Sequence, residues 1–95
     1  MEKLLAMVNF IDNVRFGKGE YEMFLFKLGD NLVDAGIGKL DARRIVNIYD
    51  VLFWEDLECI SMSFEDGHDM PKFKAFNKNI DVIDKVVKKI VKDMI

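Results

Sequence analysis

The sequence predicts an all-α domain: a small bundle of about four helices ending in a long antiparallel helical hairpin. Three observations support this. Apolar residues recur at helical spacing in every long segment, and every break between segments contains glycine. Thr and Gln are absent and Ser occurs only at Ser61 and Ser63, which leaves little material for strands.

The first helix is expected over residues 2–15, where Leu4, Met7 or Val8, Ile11 and Val14 share a face. Phe16-Gly17-Lys18-Gly19 ends it, because paired glycines suit a helix C-terminus and a turn. The second is expected over residues 20–35, through Tyr21, Phe24, Leu25, Leu28, Leu32 and Ala35. Tyr21 to Leu28 alternates well enough for a strand, but the helical period continues to Ala35. Gly29 inside that helix costs only about 1 kcal/mol against Ala.

Gly36-Ile37-Gly38-Lys39-Leu40 is the next break, and Asp41 follows where an N-cap carboxylate belongs. The third helix carries Val46, Tyr49, Phe53, Leu57, Ile60 and Phe64 on one face and is expected to run to about Glu65. Around Pro71 the pattern restarts, with Gly67 suited to the left-handed C′ position, Asp69 to an N-cap and Pro71 to the first turn. The last segment has the most regular spacing: Phe73, Phe76, Ile80, Ile83, Val87, Ile90 and Met94 alternate in steps of three and four. Val82, Val86 and Val91 broaden that stripe, which suits packing inside a globule better than a two-stranded zipper. Asp81 with Lys85 and Asp84 with Lys88 are acid-first pairs four residues apart. Asn77-Lys78-Asn79 is the weak spot, since Asn favours caps over helix interiors.

The long pair, about 41–65 and 71–95, would form the C-terminal hairpin through the Gly67 turn. The alternative is an α+β fold with a β-hairpin at 58–76, since Ile60, Met62 and Phe64 alternate with Cys59, Ser61 and Ser63.

Ninety-five residues suffice for a single domain, 1–95, at the small end of what folds alone. A hydrophobic content of 51% argues against disorder. The net charge of −3 divides unevenly: residues 72–95 hold seven Lys against three Asp, +4, which leaves −7 on residues 1–71. Residues 50–69 hold seven acids and no Lys or Arg. One cysteine, Cys59, allows no intrachain disulfide and points to a reducing, cytoplasmic setting. No apolar run reaches the roughly 18 residues of a membrane span, and Asn9 and Asp12 interrupt the start where a signal peptide would be apolar.

Catalysis has little support. His68 is the only histidine and lies in an expected turn, so no nucleophile has a dependable base beside it. Glu65, Asp66, His68 and Asp69 lack the ligand spacing of a calcium loop, and one His with one Cys does not make a zinc site. The Gly-x-Gly pairs at 17/19 and 36/38 do not extend to a phosphate-binding fingerprint. The expectation is a protein with no cofactor, no metal and no enzymatic activity.

Protein–protein interaction is the leading functional reading, by self-association or by binding a regulatory target. Its candidate residues are the charged faces: Asp50, Glu55, Asp56 and Glu58 on the acidic side, and Lys78, Lys85, Lys89 and Lys92 on the basic side. Trp54 is the candidate anchor, since a Trp beside charged residues makes a strong hot spot when exposed. Two alternatives remain open. The acidic block could occupy a basic cleft of a nucleic-acid-processing protein, as phage and mobile-element inhibitors do. The segment Leu32 to Ile45 slightly resembles a helix-turn-helix, with Gly36, Ile37 and Ile45 where that pattern favours Gly and aliphatics. Leu32 and Ala42 depart from it. That resemblance implies a second helix reading DNA through Arg43, Arg44 and Asn47.

Overall fold

A computed structural model describes residues 2–14, 16–54, 62 and 70–94. Among these, five helices form: α1 (Glu2–Val14), α2 (Lys18–Asp34), α3 (Lys39–Trp54), α4 (Pro71–Lys78) and α5 (Ile80–Met94). The all-α class expected from the sequence is the class observed. The β-hairpin alternative is not: Met62 has helical geometry and residues 71–76 lie within α4. Pro71 accounts for this locally. Its missing N–H costs nothing in the first helical turn but would remove a bond from a strand ladder.

Helix α1 buries Met7 and Ile11 and packs Val14 against the core. Helix α2 buries Tyr21, Phe24, Leu28 and Leu32, a three-four-four spacing along one face. Its end is closed by a Schellman motif: the Gly36 N–H donates to the Val33 carbonyl at 3.0 Å and the Ile37 N–H to the Leu32 carbonyl at 3.1 Å. Gly36 takes a φ of 99°, which an L side chain rarely adopts. Buried Ile37 supplies the apolar contact that accompanies the motif.

Helix α3 starts at Lys39, two residues before the expected Asp41 cap, because the Gly38 carbonyl already accepts from the Ala42 N–H at 2.9 Å. Asp41 sits in the first turn and accepts from Arg44 Nη1 at 3.0 Å. The buried face is Ala42, Ile45, Ile48 and Tyr49, with Val46 at its margin. It is rotated from the expected Val46–Tyr49–Phe53 line because Ile45 and Ile48 turn inward. The expected continuation to Glu65 falls almost entirely outside the described residues.

The C-terminal stripe is interior, as its breadth suggests. Phe73, Phe76, Ile83, Val87, Ile90 and Val91 are buried, and Ile80, Val82, Val86 and Met94 pack against them. It is carried by two helices, not one. Met70, extended at φ −70 and ψ 145, is the N-cap in place of the expected Asp69, and Pro71 opens α4. Asn79 leaves helical geometry at φ −111 and ψ 20. Its side-chain amide donates to the Ala75 carbonyl at 2.9 Å, while its own carbonyl accepts from the Ile83 N–H at 2.9 Å. One Asn thus closes α4 and opens α5. Among the described residues α4 lies chiefly on α3, whereas α5 lies chiefly on α2. Most of residues 55–65, the far part of the arm expected to face the last segment, lies outside the described residues.

A run of aromatic contacts joins these elements. Phe16, between α1 and α2, stacks on Phe24 at 5.5 Å between centroids, Phe24 meets Tyr49 edge-on at 5.9 Å, and Tyr49 meets Phe76 at 5.9 Å. Offset and edge contacts of this kind add about 0.5–1.5 kcal/mol each beyond burial.

Candidate functional site

Helices α2 and α3 fold back on each other through the Gly36 turn, with the Gly29 backbone facing Val46. A Cβ added at Gly29 would lie 3.6 Å from Val46 Cγ2, an ordinary contact. Beside this crossing runs an open groove of about 700 Å³. Its floor is apolar: Leu25, Gly29, Ala42 and Val46. Phe26 and Val33 form an apolar lip, and Phe26 is 71% exposed. A Phe that leaves most of its ring in water, two residues from the fully buried Phe24, is the largest apolar exposure among the described residues.

The walls carry opposite charge. Asp30 and Asp34 lie on the α2 side, Lys39 and Arg43 on the α3 side. All four are exposed, and none takes part in an ion pair among the described residues. Each wall is an i, i+4 row, so its two charges stand one turn apart on one face. Two of the four oppose their own helix dipole: Asp34 ends α2, where a cation is preferred, and Lys39 begins α3, where an anion is preferred.

The residues singled out from the sequence are dispersed. Arg43 and Asn47 are exposed on α3, but Arg44 is half-buried and held by Asp41. Asp50 is exposed further along α3. Trp54 closes α3, its side chain lying outside the described residues, as do Glu55, Asp56 and Glu58. Lys78 is exposed at the end of α4 and shares a hollow of about 290 Å³ with Arg44, Lys74 and Asp41. Lys85, Lys89 and Lys92 are exposed on one face of α5, away from the interior stripe. Of the candidates among the described residues, only Arg43 belongs to the groove. Phe26, Val33, Asp30, Asp34 and Lys39 were not indicated by composition. One signal did mark Phe26: an aromatic falling off the Tyr21–Phe24–Leu28–Leu32 period.

Among the described residues, no three His, Cys, Asp or Glu side chains are grouped to hold a metal ion, and no helix is long and apolar enough to cross a membrane. Comparison with protein-family models, curated proteins and solved structures finds no match to this chain.

Proposed function

We propose that this chain is a non-catalytic protein-binding module whose contact face is the α2–α3 groove. The observation that carries the reading is Phe26, 71% exposed at the lip of an apolar floor. Aromatic anchors surrounded by charged residues are the usual energetic centre of a protein interface. The charged walls favour a protein over a nucleic acid. A phosphate backbone drawn to Lys39 and Arg43 would meet Asp30 and Asp34 across the same groove.

The test is a photo-activatable cross-linking residue at position 26, expressed in the native cell. The expected result is a covalent adduct with a protein, lost when Val33→Asp is added. A chain that never acquires a protein adduct, or whose adduct persists in that variant, overturns the reading.

A second reading draws on one observation: Arg43 and Asn47 are both exposed and stand one turn apart on α3, in the helix that follows the Gly36 turn. It requires a salt-dependent DNA mobility shift that Arg43→Ala and Asn47→Ala abolish, and absence of any shift at low salt removes it. The acidic-decoy reading rests on Glu55, Asp56 and Glu58, which lie outside the described residues.

A further inference from the structure

We propose that the occupant of the α2–α3 groove is a second copy of this chain, docked as a symmetric homodimer. The proposal rests on the reading above that the groove binds protein, and it is argued from the arrangement of charge. An isologous dimer requires a surface that complements itself under a two-fold rotation. The groove satisfies this about an axis running along its length, above the floor. Rotation about that axis places the acidic α2 wall of one protomer over the basic α3 wall of its partner, and the reverse. It brings the two apolar floors face to face.

The register also matches. Helices α2 and α3 run in opposite directions from the Gly36 turn, so Asp34 and Lys39 lie level at the turn end and Asp30 and Arg43 lie level one turn further in. An axis along the groove keeps those levels. Asp34 therefore meets the partner's Lys39, and Asp30 meets the partner's Arg43, at both ends of the symmetry at once.

Within one chain the groove holds the two walls apart, and all four charges go unpaired among the described residues. Asp34 and Lys39 in addition stand against their own helix dipoles. A dimer gives each a partner of opposite sign. It also places α2 antiparallel to the partner's α3, which sets opposite dipole ends together. Phe26 and Val33 supply the apolar contact that charge pairs at a rim do not.

The experiment uses the purified full chain and two charge-swapped variants. Asp30→Lys/Asp34→Lys makes both walls basic, and Lys39→Asp/Arg43→Asp makes both acidic. Sedimentation equilibrium between roughly 1 µM and 1 mM covers the range of weak to moderate association. The wild-type chain is expected to dimerise, and Phe26→Glu to raise the dissociation constant by at least about tenfold. Each charge-swapped variant alone is expected to be monomeric. Mixed in equal amounts, the two are expected to form a heterodimer, which unfolded variants could not do. A wild-type chain that is monomeric at every concentration overturns the proposal. So does a mixture that fails to associate. Either failure leaves the proposed function intact if the residue at position 26 still cross-links to a different protein.

Discussion

The Tyr21 hydroxyl donates a hydrogen bond to the backbone carbonyl of Tyr49 at 2.5 Å, spanning α2 and α3 inside the core. The two phenols on this axis have opposite fates. Tyr21 is satisfied by a helix carbonyl. The Tyr49 hydroxyl is buried and finds no hydrogen-bond partner among the described residues.

Substituting each tyrosine by phenylalanine is therefore expected to act in opposite directions. Tyr21→Phe loses a buried bond and should cost about 1 kcal/mol, whereas Tyr49→Phe removes an unsatisfied hydroxyl and should gain up to about 1 kcal/mol. In thermal melts, such steps correspond to shifts of about 4–8 °C for a domain of this size. A loss of stability in Tyr49→Phe equal to that in Tyr21→Phe would contradict the assignment.

Alkaline stability follows from the same burial. Desolvation, and then the nearby Tyr21 and Asp84, push the Tyr49 phenol above its ordinary value of 10.0. Below that pH both states keep the proton and Tyr49 contributes no pH dependence. Above it the unfolded chain releases the proton and the folded chain retains it, so stability falls by about 1.4 kcal/mol per pH unit from this group. Urea melts on both sides of that value should show a steeper alkaline loss in the wild-type chain than in Tyr49→Phe.

Two glycines, one inside α2 and one in the turn that follows it, should respond differently to alanine. Gly36, at φ 99, gains a strained Cβ, and Gly36→Ala is expected to cost about 1–2 kcal/mol. Gly29 lies mid-helix, where a Cβ would make only a 3.6 Å contact with Val46. Gly29→Ala should therefore gain about 0.5–1 kcal/mol from reduced backbone entropy in the unfolded chain. Chemical denaturation of the two variants measures both.

Phe24 and Phe26 test which phenylalanine belongs to the core. Phe24 is 0% exposed and Phe26 71%. Phe24→Ala should cost about 3–5 kcal/mol, while Phe26→Ser, measured at a concentration where the chain is monomeric, should change stability by no more than about 0.5 kcal/mol. Equal losses in denaturant midpoints would show that Phe26 is structural and remove it as an anchor.

Most of the helical content was legible because it is written in local spacing. Tyr21, Phe24, Leu28 and Leu32 repeat at the helical period, and that period alone selects an apolar face. The glycine turn at Gly36 and the interior stripe from Phe73 to Met94 were legible for the same reason. The boundaries at Asp41 and Asp69 were less so. An Asp before a helix suits a cap, but the Gly38 carbonyl and extended Met70 begin the helices elsewhere. The groove was legible only in fragments, through Arg43 and the off-period Phe26. Its lip and its two charged walls come from α2 and α3 together, and no single segment shows them.

The sequence by itself determined that this chain is helical, that it turns at Gly36 and which face of the last segment is apolar, since a period of about 3.6 residues records which side of a helix avoids water. Only the tertiary structure decided which helix covers which. Asn79 interrupts the last segment, so that α4 packs on α3 and α5 on α2. The apolar stripe specifies that it must be buried. Its partner depends on how the side chains of distant elements interlock, and that is a property of the assembled core.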